Sequence, residues 1–156
     1  MALLSGGQAA VEALQAEKTD FVFGLIGSAT MEMFDALYDA QDIKLIGVHD
    51  ERTGTHMADG YARASGKTGV VLAGQNGPGT TNLVTGLAQA KAAYTPLVSI
   101  GGALSFEHLY RDAFQEVDQQ ALFTPITKKT WTATSSERVP EMMREAFRVA
   151  NAPRKG

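Results

Sequence analysis

Four short apolar runs, Phe21 to Gly27, Ile43 to Val48, Gly69 to Gly74 and Pro96 to Ile100, set the limits on how this chain can fold. Runs of this length with little polar alternation are the pattern of strands buried on both faces. Stretches with helical spacing separate them. Ser5 and Gln8 form a capping box that opens a helix to about Lys18, with Ala9, Val11, Ala13, Leu14 and Ala16 as its apolar stripe. Thr30 to Ala40 carries Met33, Phe34 and Leu37; Glu51 to Ala64 carries Met57, Tyr61 and Ala64; Thr80 to Tyr94 and Pro140 to Asn151 complete the set. Strands alternating with helices over short connections must pair in parallel through crossovers, so helices cover both sheet faces. The expected fold is α/β, a three-layer doubly wound parallel sheet, with Lys129 to Ala133 as a last strand. The stretch from Gly101 to Glu116 is a connection longer than usual, of the kind that is functional or mobile. The tail from Asn151 to Gly156 is polar and expected to be structureless, like a linker.

At 156 residues the chain fits one domain, and 44% hydrophobic against 20% charged residues is an ordinary globular composition. Fourteen basic and 17 acidic residues give a net charge of −3, with Lys and Arg scattered. Nucleic acid and anionic membrane surfaces, which need clustered positive charge, are therefore not expected partners. The absence of Cys excludes disulfides, a thiolate nucleophile and sulfur-ligated zinc. The first seven residues lack the basic and apolar regions of a secretory signal, so a cytoplasmic protein is the expectation.

Three motif fragments point elsewhere and fail on spacing. Gly66-Lys67-Thr68 resembles the end of a phosphate loop, but position 61 is Tyr where that loop needs Gly, and Gly60 lies one residue too early within a helix. Gly66 reads instead as a glycine ending a helix. Gly24-Leu-Ile-Gly27 lacks the dinucleotide spacing, and no acidic residue stands in the ribose position after the second strand. His49, Asp50, Glu51 and His56 offer metal-ligand types, yet they match none of the ordered zinc spacings, and no metal site is assigned.

In open parallel sheets ligands bind beyond the carboxyl ends of the strands. Here those ends are Gly27-Ser28, His49-Asp50-Glu51, Gly74-Gln75-Asn76-Gly77-Pro78-Gly79 and Gly101-Gly102. They offer either glycines, which let a ligand approach backbone, or a carboxylate, and the Gly-Pro-Gly turn suggests a shelf for a flat ring. Glu51, then Ala58-Asp-Gly-Tyr-Ala-Arg63, Gly66-Lys67, Asn76-Gly-Pro-Gly-Thr-Thr-Asn-Leu-Val-Thr-Gly86, Pro96-Leu-Val, Asp112-Ala-Phe-Gln-Glu-Val-Asp118 and Pro125-Ile-Thr-Lys128 follow in one order. Together they resemble the N-terminal pyrimidine-binding domain of thiamine diphosphate enzymes, over essentially the whole chain. The acetolactate synthase and acetohydroxyacid synthase group is the nearest match. Gln75-Asn76 and Phe114 to Gln119 are also similar to sulfoacetaldehyde acetyltransferase.

The resemblance implies roles. Glu51 matches the glutamate that hydrogen-bonds the cofactor aminopyrimidine, favouring the imino tautomer that takes the thiazolium proton, and a desolvated strand-tip carboxyl suits such exchange. Gly27, Ser28, Gly77, Pro78 and Asn82 match cofactor-binding positions, with Ser28 standing where the family has a second glycine. Gln115 and Phe114 match residues near the reacting substrate, and Lys128 one lining the access channel; the plain reading of these three is ordinary interface residues. Asp50 stands where the family commonly has His; it acts on Glu51 as a like charge or is neutralised by Arg52. The family's Gly-Asp-Gly, whose domain holds Mg2+ and the diphosphate, does not occur in this sequence. The expectation is thus a truncated N-terminal domain, inactive by itself, with a natural split subunit as the alternative. The parent enzyme implied is a 2-oxo acid decarboxylase and carboligase, with FAD left open. It is expected to be a homo-oligomer sharing its site between subunits, the helices from Glu51 and Thr80 being the candidate faces. The alternatives are sulfoacetaldehyde acetyltransferase, a simple 2-oxo acid decarboxylase, or a silent dimerisation or regulatory module.

Overall fold

The computed structural model describes residues 3–156. Its elements are α1 (Gly6–Ala16), β1 (Phe21–Leu25), α2 (Met31–Asp39), β2 (Lys44–Gly47), α3 (Glu51–Ser65), β3 (Gly69–Ala73), α4 (Gly77–Ala92), β4 (Leu97–Gly101), α5 (Gln119–Phe123) and α6 (Val139–Asn151). The four strands form one sheet in the order β2-β1-β3-β4. Every pairing is parallel, with Phe23 opposite both Ile46 and Val71, and Val71 opposite Ser99. All five residues of β3 are buried, as a central strand covered on both faces requires.

Two cores lie on opposite faces of the sheet. On one, Val22, Val70, Leu72 and Val98 meet Leu14 of α1, Phe34 of α2 and Phe147 of α6. On the other, Phe23, Val71 and Ala73 meet Ala58 of α3, Leu83 and Leu87 of α4, and Phe123 of α5. The result is the expected three-layer α/β fold, doubly wound. Strand order reverses between β1 and β3, and this is where such sheets open a crevice for ligands. No helix among the described residues is long and apolar enough to cross a membrane.

Local chemistry accounts for the helix ends. Ser5 Oγ accepts from Gln8 N and Gln8 Oε1 from Ser5 N, the reciprocal box that opens α1. Gly66 closes α3 at φ 75°, a left-handed conformation that a side chain would disfavour. Below it, Tyr61 Oη donates to Asp20 at 2.9 Å and its ring meets Phe21 edge-on, tying α3 to the start of β1.

Three expectations change, and one helix is new. Gly77-Pro78-Gly79 is the first turn of α4 and not a turn before it; Pro suits that position because its missing N–H has no intrahelical partner there. Gln119–Phe123 is a short helix, α5, with Asp118 Oδ1 accepting from Ala121 N at 2.9 Å. Lys129 to Ala133 is not a strand. It faces β4 across a groove of about 730 Å³, lined also by Val98, Phe123 and Trp131, and no ladder hydrogen bond crosses that gap. Finally, the tail folds back, with Gly156 N donating to Ala150 O at 3.1 Å.

Candidate functional site

The carboxyl ends of β1 and β3 are held backbone to backbone. A Cβ on Gly74 would lie 2.1 Å from Gly27 N, and one on Gly27 would lie 2.5 Å from the Gly74 carbonyl carbon. Ala29 N donates to Gly74 O at 3.0 Å and seals the contact. The room these two glycines leave is therefore taken by the chain itself. The same holds at Gly77, where a Cβ would lie 2.2 Å from Gln115 O.

Glu51 follows the tip of β2 as the first residue of α3, and it is buried at 4% exposure. Its Oε2 accepts from Asn82 Nδ2 at 3.0 Å, across the seam between α3 and α4. Gly79 stands beside the other oxygen, where a Cβ would sit 3.0 Å from Oε1, so this glycine lets the first turn of α4 approach the carboxylate. No salt bridge among the described residues involves Glu51. A buried carboxylate without a cation is costly unless hydrogen-bonded, which makes it a candidate for work other than packing. Asp50 is occupied otherwise: it caps α3 by accepting from Arg52 N at 2.8 Å and pairs with the Arg52 guanidinium at 3.3 Å. Of the two roles open to Asp50, neutralisation by Arg52 is the one present.

Close packing fixes the seam that carries Glu51 and Asn82. Thr55, fully buried, donates to Glu51 O at 2.8 Å and lies against Gly86 of α4. One turn on, buried Asp59 accepts from Arg63 at 2.9 Å on both oxygens and from Gln89 of α4 at 2.9 Å. Burial pushes the Asp59 carboxyl up, but the hydrogen bonds from Arg63, Thr95 and Gln89 outweigh it, leaving the group below its ordinary value.

A second polar group gathers over the switch point. Ser28 Oγ donates to Gln75 Oε1 at 2.9 Å, and Gln75 Nε2 donates to Gln115 Oε1 at 2.7 Å, spanning β1, β3 and the loop after β4. Asn76 Nδ2 donates to Phe114 O at 3.0 Å, while the Phe114 ring stays 75% exposed. Lys128 is not brought to this end. Its Nζ donates to the carbonyls of Val149 and Ala152, capping α6 at the far end of the sheet. Gln75 and Asn76, which the sequence reading gave no role, are the hub of the group; their signal was the run of two amides between Gly74 and Gly77.

Among the described residues no group of three or more His, Asp or Glu side chains is placed to hold a metal, and His49, Asp50, Glu51 and His56 do not converge. Arg52 accounts for Asp50, and α3 carries His56 one turn away from Glu51.

Comparison with known proteins gives a consistent picture. The family model described as thiamine pyrophosphate enzyme, N-terminal TPP binding domain, matches residues 4–122. The acetolactate synthase isozyme 2 large subunit of Escherichia coli is 46% identical over 154 residues, 98% of this chain and 28% of that protein. The probable acetolactate synthase large subunit of Methanococcus aeolicus is 42% identical over 153 residues, 98% of this chain and 25% of its own. The Haemophilus influenzae large subunit is 37% identical over the whole chain and 27% of its own. The chain thus spans about a quarter of the length of these relatives.

Proposed function

The chain belongs to the thiamine pyrophosphate enzymes, as their N-terminal TPP binding domain, and from that premise we propose that Glu51, Asn82 and the first turn of α4 bind and activate the cofactor's aminopyrimidine ring. The observation that carries this reading is the buried Glu51 carboxylate, anchored through one oxygen by Asn82 and flanked at the other by bare Gly79. The residues fit a flat ring with nitrogen donors: an uncharged edge can meet the free side of the carboxylate, and a Cβ on residue 79 would crowd it. Glu51 would hold a proton at its carboxyl, donate it toward a ring nitrogen, and accept the hydrogen bond that the protonated nitrogen returns. Asn82 keeps that carboxylate oriented, and the closed Gly27–Gly74 contact keeps the crevice floor rigid. When bound, thiamine diphosphate supplies the carbanion chemistry by which 2-oxo acids are cleaved and joined.

The parent enzyme is proposed to be an acetolactate synthase-like 2-oxo acid decarboxylase and carboligase, a reading supported by the names of the relatives. Mg2+ and the diphosphate would be held by a domain outside this chain. Self-association that shares the site between subunits is supported by Ile26, Met31 and Phe106, apolar and 66%, 61% and 57% exposed around the carboxyl end of the sheet. Light scattering tests it: a monomer at every accessible concentration would count against it.

Two measurements test the site. Calorimetry of the chain with thiamine diphosphate and Mg2+ should show weak affinity, since half the contacts are missing, and low-micromolar binding would contradict the half-site reading. In the longer enzyme, Glu51→Gln keeps the Asn82 contact but removes the proton acceptor. Hydrogen–deuterium exchange at the thiazolium carbon should fall by about 10² to 10⁴-fold, and Asp50→Asn should do much less. Equal effects of the two changes would remove Glu51 from the role.

A further inference from the structure

We propose that Glu116 is the positioning residue for Gln115, acting by filling an anion-binding nest of backbone N–H groups in the loop between β4 and α5. Its Oε1 accepts from Tyr110 N at 2.6 Å and its Oε2 from Ala113 N at 3.2 Å. The Glu116 carboxyl is held below its ordinary value, first by the backbone N–H of Tyr110 and to a lesser degree by those of Ala113, Arg111 and Asp112. Tyr110 and Asp112 both hold positive φ, 60° and 54°, and such left-handed residues turn successive N–H groups toward one point. A nest of this kind selects a negative oxygen, and here the chain supplies its own.

The next residue back is where the loop meets the site. Gln115 also holds positive φ, 59°, with its carbonyl packed against Gly77 and its side chain accepting from Gln75. Glu116 N donates to Ala113 O at 3.0 Å, so the carboxylate closes a ring of bonds around Phe114 and Gln115. Three non-glycine residues in left-handed conformations persist only where surroundings fix them, and the Glu116 carboxylate is the group that touches that stretch from within. Gln115 is thus aimed at the Gln75–Ser28 group by a charge one residue away. The inference rests on the reading of Gln115 as part of the site.

The test uses the whole chain, with Glu116→Ala to empty the nest and sodium formate as the probe that refills it. Nuclear magnetic resonance should show amide exchange at Tyr110 and Ala113 rising at least about tenfold, the loss of a charge-assisted hydrogen bond. The Gln115 side-chain amide signal should move, and formate should restore both. Glu116→Gln, which keeps size and one acceptor but no charge, should be intermediate. The amides of Gly69–Ala73 report whether the fold is intact. With that core protected, unchanged exchange at Tyr110 and Ala113, absence of formate rescue, or an unmoved Gln115 signal would each overturn the proposal. The proposed function is read separately, by the Glu51→Gln exchange experiment in the longer enzyme; its failure there would strike that function and leave these ligand-free signals as they are.

Discussion

Gly86→Ala is a sharp probe of the α3–α4 seam that presents Glu51 to Asn82. The new Cβ would lie 2.5 Å from Thr55 Cγ2 and 2.6 Å from Thr55 Cβ. Carbon atoms rest at about 3.5–4.0 Å, and turning Thr55 would leave its Cβ where it is, so the helices must part by roughly 1 Å. Thr55 is fully buried and its hydroxyl is bonded to Glu51 O at 2.8 Å, which ties it to its own helix. Overpacking of this kind costs about 1–3 kcal/mol, against a gain of about 1 kcal/mol for replacing a mid-helix Gly by Ala. Gly60 on α3 is the matched control, since a Cβ there meets nothing within 4 Å and collects the gain alone. The difference between the two variants is then the packing cost, about 2 kcal/mol at mid-range, or about 4–8 °C in Tm for a chain of this size. Thermal unfolding by circular dichroism should place Gly60→Ala above the parent and Gly86→Ala at or below it. A Gly86→Ala protein that melts with Gly60→Ala would show that the seam gives freely and that it does not fix the Glu51–Asn82 geometry.

Other expectations are simpler to check. Asp59 is held below its ordinary value of 3.8, so its folded form stays ionised where the unfolded chain binds a proton. Its stabilisation is present above that value and lost as pH falls through the folded one; urea midpoints followed downward from pH about 5 should drop less steeply in Asp59→Asn. Ser5→Ala removes half of the capping box that opens α1 and should cost about 1 kcal/mol, seen as a Tm lower by about 2–4 °C. Leu72→Ala, at a fully buried position between two strands, should cost about 2–5 kcal/mol in a denaturant titration.

The strands were legible because burial on both faces leaves almost nothing polar in β1 and β3, and because glycine follows each of these runs. Helix ends were legible where a side chain or a glycine makes the cap, as at Ser5 and Gly66. Lys129 to Ala133 had strand-like composition, but a strand exists only through its partner, and no local pattern says whether one lies within reach. Five residues of α5 are too few to show a period, although Asp118 was a visible cap. At the site, the family resemblance pointed to Glu51 and Asn82 separately, but nothing in the sequence said that Asn82 would donate to Glu51 across the seam. The Ser28–Gln75–Gln115 group was not legible either, because amide partners 40 and 47 residues apart leave no spacing to read. Gly27 and Gly74 were expected to admit a ligand, whereas each makes room for the other.

The two cores also differ in when the growing chain can complete them. The face built from α3, β3, α4 and β4 draws most of its contacts from residues 51–101, close together along the chain. The opposite face joins Leu14 near the beginning to Met143, Phe147 and Ala150 near the end. Contacts between sequence neighbours form early because they close short loops, and distant ones must wait. During synthesis, Leu14 of α1 therefore waits for α6 while the roughly 130 residues from it to Met143 are added, about 6–26 s at ordinary rates. The side of α1 that α6 will cover is the surface left open over that interval.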